Sequence, residues 1–114
     1  MIRDENGKPL VSATATHPGE VLADELAARN MTQRELAEKT QVSTAMISAV
    51  VKGKKNVSLQ LALQLETALE IPAEFWLNLQ RQYDQTVAYH KLKRDLQRLH
   101  VPDNRQQQIL SAMY

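Results

Sequence analysis

Apolar residues along the chain recur at intervals of three and four and never alternate over a useful length, which predicts helices and no sheet. Pro18 opens a first helix with Glu20 in its first turn; Leu22 and Leu26 form its apolar stripe, and it stops near Asn30. Thr32 and Glu35 form a T-x-x-E capping box that is expected to satisfy two backbone donors, and the helix they start ends near Thr40. Ser43 caps a third helix, TAMISAVVK, stopped by Gly53. Ser58 caps a fourth, with Leu61, Leu65, Ala68 and Leu69 on its buried face. A fifth opens at Pro72. The predicted fold is all-α, a five-helix bundle over 17–84 whose short helices depend on mutual packing.

Residues 1–16 read as a flexible N-terminal tail, in which Asn6-Gly7 suggests a hairpin from Ile2 to Val11 that Pro9 opposes. Residues 85–114 read as a C-terminal amphipathic helical extension. Trp76, Leu79, Tyr83 and Val87 share one helical face, whereas Tyr89, Leu92, Leu96 and Leu99 fall almost opposite at 100° per residue. Either the helix bends or restarts between 84 and 89, or one continuous helix changes partner. Pro102 ends it, leaving QQQILSAMY as a last helix or a frayed end.

At 114 residues the chain fits one domain with tails, and it has no Cys, so a disulfide framework and thiolate metal sites are excluded. The charged N-terminus does not resemble a signal peptide and no apolar run spans a bilayer, so a soluble cytoplasmic protein is expected. Net charge is only +1, yet residues 31–60 hold five cations against two carboxylates, with Lys52, Lys54 and Lys55 clustered around Gly53. Such a patch attracts phosphate even on a nearly neutral protein; cations that simply favour a helix C-terminus are the alternative. His17, His90 and His100 lack metal-ligand spacing, H-E-x-x-H is absent and the glycines are too few for a phosphate loop, so no catalytic site, metal or cofactor is expected. His17, before Pro18, reads as part of a helix start.

In TQRELAEKTQVSTAMISAVVKGKKN, the small Ala37 allows a close helix approach, and Leu36, Val42, Ile47 and Val50 supply the contacts that fix two short helices across a turn. This stretch resembles the helix-turn-helix of the phage-repressor-like (Xre/Cro) family, in the spacing of Gln33, Ala37, Val42, Ile47 and Val50 and in the closing K-G-K-K-N. It departs from that family at Gln41, where glycine is usual, and at Thr40, where an apolar residue is usual. The resemblance implies that the helix from Thr44 to Lys52 enters the major groove, with Thr44, Ala45, Ser48 and Ala49 placed to reach bases. Gln33, with the N-terminus of the second helix, and Lys52, Lys54 and Lys55 would meet the backbone, and Ser43 is also expected among the DNA-binding residues. The four base-facing residues are small, so backbone contacts and DNA shape are expected to carry much of the specificity.

Two flanking segments narrow the resemblance. HPGEVLADEL and IPAEFWLNLQRQYD look like the antitoxin branch called HigA or VapI, although Gln85 stands where a leucine is usual. That resemblance implies a homodimer that binds operator DNA, represses its own operon and neutralises a RelE-like mRNA-cleaving ribonuclease toxin. A stand-alone transcriptional regulator of the same fold, without a toxin, is the alternative. Phe75 is expected in the bundle core, and Trp76, Leu79 and Tyr83 are expected to form the dimer interface. The extension's stripe, with Lys91, Lys93, Arg94 and Arg98 around it, has a dimer mate, the toxin or the bundle itself as candidate partners.

Overall fold

Residues 15–113 are described by the computed structural model. They contain six helices: α1 (Pro18–Ala28), α2 (Gln33–Thr40), α3 (Thr44–Val51), α4 (Leu59–Leu69), α5 (Ala73–Arg98) and α6 (Asp103–Met113). No strand occurs among the described residues, and the Ile2–Val11 hairpin considered above lies outside them.

The helix starts form where the capping residues stand. Thr32 Oγ1 accepts from the Glu35 N–H at 3.0 Å, Ser43 Oγ from Met46 at 3.1 Å and Ser58 Oγ from Leu61 at 3.1 Å. The expected capping box is only half formed, because the Glu35 carboxylate accepts from the Thr32 hydroxyl at 3.2 Å and not from its backbone N–H. At the start of α5, Glu66 Oε1 takes the role of a cap by accepting from the Ala73 N–H at 2.9 Å.

Helix ends turn left-handed at Asn30, Gln41, Glu70 and His100, and at Gly53. Gln41, which stands where glycine is usual, holds the left-handed conformation itself, with φ 59° and ψ 27°, at a backbone cost of about 1–2 kcal/mol. Thr40, the other departure, is buried but satisfied: its hydroxyl donates to the Leu36 carbonyl at 2.8 Å and accepts from the Val42 N–H at 3.3 Å.

The expected five short helices become six, and the fifth is a single helix of 26 residues that runs through 84–89 without a break. No proline or glycine interrupts Ala73–Arg98, and the left-handed His100 and then Pro102 supply the stop before α6. The two opposed stripes therefore lie on one continuous helix. Its first part belongs to a compact unit, Thr16–Tyr83, and its distal part to a second one with α6.

In the first unit Leu22, Leu36, Ile47, Val50, Leu65 and Trp76 are fully buried and form the centre of the core. In the second, over 84–113, Leu96 and Thr86 are the buried residues, with Leu92, Val101, Ile109 and Leu110 half-buried. Among the described residues no helix is long and apolar enough to cross a membrane.

Candidate nucleic-acid interface

Ile47 and Val50 anchor α3 in the core with no exposed surface. The helical period then turns Ala45, Ser48, Ala49 and Lys52 to the opposite side. Ala45 and Lys52 are exposed there, Ser48 and Ala49 are half-buried, and Thr44 is exposed in the first turn. Ser43 stands at the head of this face with its oxygen engaged in the cap. Gln33 is half-buried as the first residue of α2.

The far end of α3 closes in a Schellman arrangement. Gly53 N–H donates to the Val50 carbonyl at 3.0 Å and Lys54 N–H to the Ala49 carbonyl at 2.8 Å, with Gly53 at φ 77°. This wrap sets Lys54 and Lys55 directly after the helix. Lys52, Lys54 and Lys55 are exposed and form no ion pair among the described residues. The result is a short helix with a small, open face and a cluster of free cations at its end.

The start of α1 supports that end. His17 caps α1 through its Nδ1, which accepts from the Gly19 N–H at 2.9 Å; this fulfils the expectation that His17 begins a helix. A methyl group on Gly19 would overlap the Val50 carbonyl oxygen, so glycine is required where α1 meets the last turn of α3. The His17 ring also lies beside Gly53 and packs edge-on with Tyr83, centroids 4.8 Å apart.

A second support comes from α5. The buried Gln80 side chain accepts from the Val57 N–H at 2.7 Å and so ties α5 to the segment between the lysines and α4. Arg29 links the end of α1 to the end of α4 by donating to the Leu69 carbonyl at 2.7 Å, with Glu25 bonded to its Nε. The quoted motifs contain His17, Gly19, Gln80 and Tyr83, but sequence reasoning did not find the scaffold they form. A glycine inside an otherwise helical run was the available signal for Gly19. Gln80 had none, since its partner is 23 residues away.

The expectations for the aromatic pair are reversed. Trp76 has no exposed surface, whereas Phe75 is 42% exposed; the two rings meet edge to face at 5.2 Å. With α5 capped by Glu66 at Ala73, its inward direction runs through Ala73, Trp76 and Gln80, at helical spacing of three and four. Phe75 is thus turned outward. Trp76 leaves no surface for a second copy, Leu79 is half-buried against the core, and Tyr83 is half-buried beside His17. The three residues do not form an open dimer face.

Short helices α2 and α3 joined by a tight turn, with the second exposing a small polar face and a basic end, define a helix-turn-helix DNA-binding fold. A helix-turn-helix family model matches residues 22–76. Virulence-associated protein I of Dichelobacter nodosus is 33% identical over 75 residues, which is 65% of this chain and 69% of that protein. The structure of an addiction module antidote protein of the HigA family from Coxiella burnetii matches with a TM-score of 0.67 and 32% identity, over 77% of this chain and 97% of that one. Pseudomonas aeruginosa antitoxin HigA, solved with the higBA promoter, matches with a TM-score of 0.69 and 28% identity, over 79% and 97% of the two chains. The chain belongs to the HigA/VapI-like branch of the Xre-type helix-turn-helix family.

Proposed function

We propose that this protein is the antitoxin of a toxin–antitoxin pair: a homodimer that binds its own operator, represses the operon and neutralises a RelE-like mRNA-cleaving toxin. The observation that carries the DNA reading is the cluster of exposed, unpaired Lys52, Lys54 and Lys55 at the end of the small-faced α3. Those lysines contact phosphates and give salt-dependent affinity. Gln33 and Ser43 contact the backbone at helix starts, and Thr44, Ala45, Ser48 and Ala49 meet base edges, where their small size selects weakly. Two copies on half-sites one DNA turn apart combine the affinity that one such helix lacks. The antitoxin reading is supported by the likeness to solved antitoxins, one of them with promoter DNA.

Trp76 is not available for the dimer. On Thr16–Tyr83 the large apolar side chains that are exposed are Met46 on α3, Leu59 and Leu63, one turn apart on α4, and Phe75 on α5. The test is a mobility shift on the chain's own promoter, combined with co-purification with the product of the adjacent gene. A shift that weakens steeply with salt, together with a stable complex that stops mRNA cleavage, is expected. A shift without any complex leaves a stand-alone regulator; no shift at low salt with folded dimer present removes the repressor reading.

A further inference from the structure

Helix α4 is apolar on two sides. Leu61, Ala62, Leu65 and Leu69 face inward and are buried in the core of Thr16–Tyr83. At 100° per residue Leu59 and Leu63 fall on the outer side with the exposed Thr67, and the two leucines, one turn apart, are 62% and 48% exposed. Elsewhere among the described residues, the exposed large apolar side chains Met46, Phe75, Leu99 and Met113 stand singly, and Val87 shares its stripe with the cations Lys91, Arg94 and Arg98. Single exposed apolar groups need no partner. A helix that is apolar all round belongs to a buried setting, and only one side of α4 is covered by its own chain.

The charges around α4 say what fits the other side. No charged residue occurs from Asn56 to Leu65, so two copies of this face meet without repulsion, and charge is depleted at the centre of protein interfaces. Two copies docked through Val87 would instead bring its neighbouring cations together. Lys52, Lys54 and Lys55 precede α4, whereas Glu66 stands in its last turn and Glu70 at its C-cap. Set antiparallel about a two-fold axis, each copy turns its cationic end toward the acidic end of the other; set parallel, like ends would meet. This attraction reaches over about 8 Å at physiological salt and needs no contact, so the lysines stay free for phosphate. The same axis pairs Leu59 with Leu63, because in a two-fold contact residue i meets j and j meets i.

We propose that the outer side of α4 is the surface through which two copies of this chain pair, antiparallel, with Leu59 of each copy against Leu63 of the other. This rests on the homodimer in the reading above and names a face for it in place of the buried Trp76. The 11 residues of α4 make a helix about 16 Å long, and one side of it offers less than the ~800 Å² per partner of a stable interface. Pairing is therefore weak in the free chain and is completed on operator DNA, where adjacent half-sites hold two copies at high effective concentration.

The experiment combines sedimentation velocity over a range of protein concentrations with an anisotropy titration of the chain's own promoter duplex. It compares the wild type with Leu63→Glu, Leu59→Lys/Leu63→Glu and Phe75→Ala. The two leucines are exposed, so their variants should keep the fold, which circular dichroism checks. The wild type is expected to pass from monomer to dimer as concentration rises and to bind the duplex cooperatively. Leu63→Glu should pair about tenfold more weakly and titrate the duplex without cooperativity. The double variant should recover both, because each introduced ammonium group then meets an introduced carboxylate of the other copy. Unchanged pairing of folded Leu63→Glu overturns the proposal and leaves the homodimer to another face, and loss of pairing in Phe75→Ala alone places that face on α5. Failure of the double variant to recover overturns the antiparallel contact. A wild type that stays monomeric both in solution and on the duplex sinks the homodimer reading itself. One that pairs but binds no promoter fragment sinks the DNA-binding reading alone, and Leu63→Glu still decides the α4 face.

Discussion

Two adjacent aromatic residues show how much a single turn of helix decides. Counting 100° per residue separates Phe75 from Trp76 correctly, but it leaves open which of the two faces inward. That choice is made by the fixed start of α5 at Glu66, whose carboxylate holds the Ala73 N–H. Trp76→Ala is therefore expected to cost about 3–5 kcal/mol, enough to unfold a small domain, because it empties a fully buried site. Phe75→Ala should leave folding nearly intact, and thermal melts of the two variants check the contrast. Gln41 poses the opposite case, an exposed residue whose backbone is strained. Gln41→Gly relieves a left-handed conformation worth about 1–2 kcal/mol and gives back part of that as entropy of the unfolded chain. The net expectation is a variant stabilised by about 0.5 kcal/mol, read from thermal melts. Loss of stability would show that the Gln41 side chain contributes more to the fold than its backbone conformation costs.

At the scale of elements, the local signals were readable and the long-range ones were not. Thr32, Ser43 and Ser58 start helices because a hydroxyl three residues before an N–H is a local arrangement, visible in sequence. The unbroken course of α5 was also latent in Ala73–Arg98, which lacks any breaker, but the opposed apolar stripes left bend and continuity equally open. For the candidate interface, the α3 face and the lysines follow from helical period and the Gly53 stop. The scaffold behind them does not, because Gln80 and Val57, or Tyr83 and His17, meet only after the chain has folded. Those contacts give the two flanking motifs a physical purpose: they fix both ends of the segment that carries Lys54 and Lys55. Gln80→Ala orphans the buried Val57 N–H and should cost about 1–3 kcal/mol. Because the loss falls beside the basic segment, faster hydrogen exchange at 54–58 is expected before any change in α1 or α2. Uniform exchange across all helices would mean that Gln80 serves the core at large.

At the scale of the whole molecule, one helix runs through two units of unequal construction. Thr16–Tyr83 has a centre of fully buried apolar side chains, whereas over 84–113 the one deeply buried apolar side chain is Leu96, 7% exposed. Val87, Leu99 and Met113 are exposed to 41%, 61% and 64%. Local stability follows buried apolar contact, so the second unit belongs to the low end of the range over which proteins open. A helix carries cooperativity along its axis, yet the distal half of α5 can fray from its C-terminus without disturbing Trp76 or Gln80, which lie in its first two turns. Leu96→Ala removes the main apolar anchor and is expected to cost about 2–5 kcal/mol of local stability. Hydrogen exchange read by mass spectrometry should then show protection lost over about 90–113 and retained over 18–80. Binding to an operator fragment, which the proposed reading assigns to α2, α3 and the basic segment, should change little unless the extension holds the dimer together. A variant that keeps the first unit's protection but binds DNA only at high protein concentration would therefore assign dimerisation to distal α5 and α6. One that loses protection in both units together would show that the long helix makes them a single cooperative body.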